Sequence, residues 1–232
     1  MSIRNPVPEV PANLDPLARE VLEGLRGHAA AEAIVLGGGV ALQHYCDFRT
    51  TTDIDAWWAE GPQSETRALI LSVMQTVAAN HGLELGTRSW GETQSYELKK
   101  GAKKVFSFQI SLRDVQLEAP LASAWAPVKI ETFRDNLGAK MNALVERGAP
   151  RDFLDAHEVC REAMATETQC WEAWSDKNPG QPVGEAKVRV LHHLEALELR
   201  RPLASISTPA ERQAAQEVRR WVRESLCGGS GS

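Results

Sequence analysis

IVLGGGVALQHYCDFRTTTDIDAWW, residues 34–58, is the stretch on which the fold turns. The apolar run Ala33–Leu36 ends in Gly37-Gly38-Gly39, which predicts a buried strand running into a glycine turn. A short helix from Val40 to Tyr45 and a second strand from Asp53 to Trp58 follow. A glycine turn that opens a helix lets backbone N–H groups approach a phosphate closely. The hydroxyl-rich run Thr50-Thr51-Thr52 leads into the second strand, where Asp53 and Asp55 sit two apart and so project from one face. Two carboxylates held that close repel each other unless a positive charge lies between them. A hard divalent cation meets the need, and Mg²⁺ binds through one or two carboxylates plus substrate phosphates. Such a site would align an attacking oxygen and stabilise a pyrophosphate leaving group. A DxD alone is a common solvated pattern and a glycine cluster is commonly just a turn. The two on successive strands point to a metal and a nucleotide.

Outward from this stretch the pattern changes once. Asp15-Pro16 with LAREVLEGLRGHAA predicts a helix with an acidic N-cap and proline in its first turn. Ser64 is expected to cap a helix whose stripe is Leu69, Ile70, Val73, Met74 and Val77. Strands are expected over Leu83–Ser89, Gln94–Lys99 and Val105–Leu112, the last with Phe106, Phe108, Ile110 and Leu112 on one face. The proline- and alanine-rich segment Ala119–Pro127 reads as a connection. After Glu131 the periodicity is helical throughout, over 132–147, 151–165, 168–175, 184–200 and 209–226. The fold class expected is α+β: a mixed sheet with helices over residues 1–118, a helical domain over 119–227 that completes the site, and a flexible tail at 228–232.

Composition narrows the function classes. The 232 residues are 43% hydrophobic and 25% charged with a net charge of −5, so a nucleic-acid partner would need a local basic patch. Cys46, Cys160, Cys170 and Cys227 lack CxxC spacing, which argues against a zinc site or disulfide framework and suits a reducing cytoplasm. The N-terminus is polar and proline-rich, without the apolar core of a signal peptide, and no stretch has the length of a membrane span.

Two blocks in order carry a family resemblance. The first is Gly38-x-x-Ala41-Leu42 followed by Arg49-x-Thr51-x-Asp53-Ile54-Asp55. The second joins Leu137-Gly138-Ala139-Lys140-Met141-x-Ala143-Leu144-x-x-Arg147 to Arg151-Asp152-Phe153-Leu154-Asp155. Across about residues 30–160 the chain resembles the AbiEii/AbiGii toxin family of nucleotidyltransferases, related to the MenT toxins and built on the DNA polymerase β-like fold. The resemblance implies transfer of a nucleoside monophosphate from an NTP to an acceptor hydroxyl, with tRNA as the acceptor class. It implies Mg²⁺ on Asp53 and Asp55, phosphates at Gly38, Gly39, Thr51 and Lys140, and catalytic roles for Asp53, Asp55, Lys140 and Asp155. It also implies a toxin neutralised by a cognate antitoxin. One departure stands out: the fold usually carries a third carboxylate on a later strand, and VFSFQISL (105–112) has Gln109 and Ser111 where an acid is expected. Asp155 or Asp152 would then complete the site, with Asp114 a weaker replacement. The other readings are a small-molecule nucleotidyltransferase of the antibiotic-modifying kind and a degenerate, non-catalytic nucleotide-binding module.

The remaining candidates have plainer explanations beside them. Lys140 neighbours the apolar positions Leu137, Met141 and Leu144 and could snorkel to water, and Asp155 could simply pair with Arg151. His192-His193 lack a partner at ligand spacing. Of Trp57 and Trp58 at least one is core, and the other could flank a base. Lys99, Lys100, Lys103 and Lys104 crowd an expected hairpin turn at Gly101, either a solvated loop or an RNA phosphate contact. The basic face of Glu211–Arg223 reads as solvated. The chain has no GxxxxGK[ST], GxGxxG, GxSxG or HExxH.

Overall fold

The computed structural model describes residues 6–113 and 115–228. Asp114, and all but the first residue of the expected tail, lie outside the described residues. The chain divides into two compact units, the first ending at Asn136 and the second beginning at Leu137.

The first unit is built on a seven-stranded mixed sheet. In chain order its elements are α1 (Pro16–Leu25), β1 (Ile34–Gly37), α2 (Gly38–Gln43), β2 (Asp53–Trp58), α3 (Ser64–His81), β3 (Glu84–Trp90), β4 (Thr93–Lys100), β5 (Lys103–Ser111), β6 (Leu121–Ala122) and β7 (Lys129–Ile130). The sheet order is β3-β4-β5-β2-β1-β7-β6. β2 runs antiparallel to β1 and parallel to β5, which places the DxD strand in the middle. Alternation decides its faces. Ile54, Ala56 and Trp58 are buried, as are Phe106, Phe108 and Ile110 on β5, and they share one core with Val21, Leu22, Ile70, Val73 and Met74 of α1 and α3. Asp53, Asp55 and Trp57 occupy the opposite face.

Local signals explain most boundaries. Asp15 accepts hydrogen bonds from Leu17 N and Ala18 N, a cap of about 1 kcal/mol. Ser64 is the first helical residue of α3 rather than its cap, and Gln63 at the cap position makes no side-chain bond. Leu112 lies past the end of β5 and is exposed. The connection expected over Ala119–Pro127 contains β6, which pairs with β7 at the sheet edge. Strands of two residues have no period to read.

The second unit is helical. α4 (Phe133–Glu146) carries the chain across the boundary and is followed by α5 (Pro150–Arg161), α6 (Glu167–Lys177), α7 (Val183–Arg200) and α8 (Pro209–Trp221). The unit buries Leu137, Met141, Leu144, Phe153, Val159, Trp174, Val190 and Leu194. Of the arginines on the Glu211–Arg223 face, Arg212, Arg220 and Arg223 are exposed, as expected, and Arg219 is not. Arg219 is buried and donates to Arg201 O at 2.6 Å, and Arg223 pairs with Glu198. No helix among the described residues is long and apolar enough to cross a membrane.

Candidate active site

The glycine turn and the acid strand meet because β1 and β2 are register partners, with Gly37 opposite Asp55. Three consecutive glycines let them close up. A Cβ on Gly37 would strike the Trp57 indole, and one on Gly38 would overlap the Asp55 carboxylate. A Cβ on Gly39 would lie 3.1 Å from Thr51 Oγ1 and 3.5 Å from Arg49 Nη2. Gly38 also has φ +58°, in the region that side-chain-bearing residues avoid. Gly38, Gly39, Thr51, Asp53 and Asp55 therefore form one cluster. α2 has only six residues, so its macrodipole is small and any phosphate cradle must rest on N–H groups of the turn itself.

β5 supplies the next neighbours. Asp53 pairs in register with Ser107, and Asp55 with Gln109, while Ser111 sits further along, opposite Trp57. Ser107 Oγ donates to Asp53 Oδ1 at 2.6 Å, and Lys104 Nζ donates to the same oxygen at 3.1 Å. Thus the residue standing against the first acid is Ser107, and a lysine ammonium pairs with that acid. Lys99 instead pairs with Glu97 at 3.0 Å, and that hydrogen bond holds the Glu97 carboxyl below its usual range. Lys100 and Lys103 are left exposed beside the turn.

A buried polar network braces the cluster from the far side. Glu131 is fully buried and accepts from Trp57 Nε1 at 3.1 Å, from Arg113 Nη2 at 2.6 Å and from Asn136 Nδ2. The same amide of Asn136 donates to Gly38 O at 3.0 Å, and Arg113 also pairs with Asp135 at 2.7 Å. Tyr45 OH donates to Glu131 O. Burial, aided by the charges of Glu131 and Asp135, pushes the Tyr45 phenol well above its ordinary range. Trp57 is therefore a strut of the glycine turn, and Trp58 is core.

The helical unit holds the other predicted residues. Lys140 Nζ donates to Asp155 Oδ2 at 2.7 Å, with Asp155 wholly buried and Lys140 nearly so, which replaces the snorkelling reading. Asp152 accepts both Nε and Nη2 of Arg147 and the Ala149 N–H at the start of α5. These three bonds hold that turn. His193 Nε2 meets Val145 O at 3.1 Å, and His192 is exposed.

The residues of the first unit fit a divalent cation with its nucleotide. Two carboxylates share a face, a positive charge already sits on one, and the turn backbone closes against the other. Among the described residues no group of three or more His, Cys, Asp or Glu gathers. The donor set is thus two carboxylates to be completed by substrate oxygens, the way Mg²⁺ is ordinarily held.

A sequence model described as "Nucleotidyl transferase AbiEii toxin, Type IV TA system" matches residues 20–218. The chain belongs to that family. It is an NTP-dependent nucleotidyltransferase of the AbiEii toxins of type IV toxin–antitoxin systems. A search of curated proteins finds no match. For an AbiEii enzyme, Ser107, the Lys104 contact and the network of Arg113, Glu131 and Asn136 are additions that sequence reasoning did not supply. The polar alternation of Ser107, Gln109 and Ser111 was visible, but choosing among them needs the β2–β5 register. Nothing local announces that Asn136 reaches back 98 positions to Gly38.

Proposed function

We propose that this AbiEii enzyme transfers a nucleoside monophosphate from an NTP to a hydroxyl of an RNA acceptor, tRNA being the expected class, and releases pyrophosphate. The observation that carries the proposal is the Gly38–Asp55 approach beside the paired carboxylates, with a cation already seated on Asp53. Asp53 and Asp55 would hold Mg²⁺. Bound there with the nucleotide, that ion supplies charge neutralisation at the α-phosphate and the leaving pyrophosphate. The N–H groups of Gly38 and Gly39, with the Thr51 hydroxyl, orient the phosphates. Within the helical unit, Lys140 is held in an ion pair with the buried Asp155.

The hairpin supports the acceptor. Lys100 faces Lys103 and Lys99 faces Lys104 across β4 and β5. Like charges directly opposite are unfavourable in an antiparallel pair. Glu97 and Asp53 relieve the second pair, and an acceptor's phosphates would relieve the first. The enzyme would work in the cytoplasm, where NTP is supplied and its four free cysteines stay reduced, and where a cognate antitoxin would meet it.

The test is incubation with labelled NTPs and, separately, tRNA, total RNA and protein. Wild type should label RNA, and Asp53→Asn and Asp55→Asn should each lower the rate by on the order of 10³-fold, a loss of about 4 kcal/mol of transition-state stabilisation. Labelling that persists in both variants rejects the assignment of the acids. Labelling confined to protein or a small molecule rejects the RNA acceptor.

A further inference from the structure

The lysine on Asp53 is placed there by a break in β5. From Phe106 onward the strand alternates, with Phe106, Phe108 and Ile110 buried and Ser107, Gln109 and Ser111 on the face shared with Asp53 and Asp55. Carried backwards, that alternation would send Lys104 into the core beside Phe106. The β4–β5 register shifts at this point. Leu98 opposes Phe106 and Lys99 opposes Lys104, which leaves Val105 as an extra residue. A bulge of one residue reverses the face of whatever precedes it, and bulges recur where a strand must re-aim a side chain. Here the re-aimed ammonium lies 3.1 Å from Asp53 Oδ1 and 3.2 Å from Ser107 Oγ, although 47% of the side chain is exposed. Removal from the core alone would be satisfied by any direction into water. Convergence on one carboxylate oxygen, shared with the Ser107 hydroxyl, is more than removal requires.

We propose that Lys104 is a resident counter-ion of the carboxylate pair, which a divalent cation must displace from Asp53 Oδ1. The proposal rests on the reading of Asp53 and Asp55 as ligands of such a cation. A bound Mg²⁺ stands about 2.1 Å from its carboxylate oxygen and tolerates no second cation on the same lone pairs. Metal loading and release of the lysine are then one competitive step. Ser107 stays through both states, because its hydroxyl donates to the carboxylate without adding charge. The usual third acid would strengthen metal binding; this strand presents a neutral donor and a competing ammonium, so the site loads at a higher cation concentration. Lys104 is a positioning residue here, acting through Asp53.

Binding of Mn²⁺ alone, by calorimetry and electron paramagnetic resonance on the full chain, tests this directly. Lys104→Met and Lys104→Gln should each bind Mn²⁺ about two- to fivefold more tightly than wild type, the range for a partly exposed ion pair. Lys104→Arg should bind like wild type, and Asp53→Asn should lose the site. In the wild-type protein, acylation of Lys104 by an N-hydroxysuccinimide ester, read by peptide mass spectrometry, should rise when Mg²⁺ is added. If Asp53-dependent Mn²⁺ binding is present but unchanged or weaker in both neutral variants, or if acylation stays flat, the counter-ion role falls and the metal site stands. If wild type shows no Asp53-dependent binding, both fall together.

Discussion

At positions 37–39 each glycine meets a different neighbour, so a substitution series can separate backbone strain from steric overlap. Gly38 combines φ +58° with an approach to Asp55 that leaves no volume for a methyl group. Gly38→Ala should cost about 1–3 kcal/mol of stability, the range for a residue held outside its favoured backbone region, and should abolish NTP labelling. Gly39→Ala brings a Cβ to 3.1 Å from the Thr51 hydroxyl and 3.5 Å from Arg49 Nη2, so Thr51 must give by only a few tenths of an ångström. It should leave the melting temperature near wild type and lower labelling modestly. Thermal denaturation with the labelling assay decides it: a Gly38→Ala protein that labels at the wild-type rate removes the glycine turn from the site. The types and spacing of these residues were legible in the chain. Which atom each glycine touches depends on the β1–β2 register, which is set by pairing between strands and not by either strand alone.

The expected strands and helices are present, and the elements missed are the two-residue strands β6 and β7. The β4–β5 hairpin was expected around Gly101, and it turns there on two residues with Gly101 at φ +60° in the first, as a type II′ turn requires. Within it the four lysines divide by role: Lys99 is taken by Glu97, Lys104 by Asp53, and Lys100 and Lys103 flank the tip. A test of RNA binding therefore belongs to the tip. Lys100→Glu with Lys103→Glu should weaken RNA binding and lower the slope of log affinity against log salt by about 1 for each phosphate that is no longer neutralised. Measured across a salt series, an unchanged slope would make the tip an ordinary solvated turn. The bulge that separates Lys104 from this pair arises from pairing with β4, so alternation read along β5 alone assigns Lys104 to the wrong face.

At the scale of the whole molecule, an AbiEii chain that transfers nucleotides to an essential RNA should slow growth when produced without its antitoxin. Induction of wild type against Asp53→Ala in a host lacking that partner tests it. Wild type should arrest growth while the variant, equally soluble, does not; equal growth rejects toxicity for this chain and leaves the transferase fold untouched. The α+β class, the DxD strand and the helical character after Glu131 were all determined by the sequence alone, because periodicity and glycine chemistry are local and survive without knowledge of partners. Lys140 and Asp155 were legible as residues, but as a buried pair at 2.7 Å they were not, since Asp155 could as well have turned to Arg151. The same holds for the register that puts Ser107 against Asp53 and for the amide of Asn136 on the glycine turn. Those were decided only by tertiary structure. The free energy that selects among alternative polar partners comes from burial and desolvation, and these exist only once distant segments have come together.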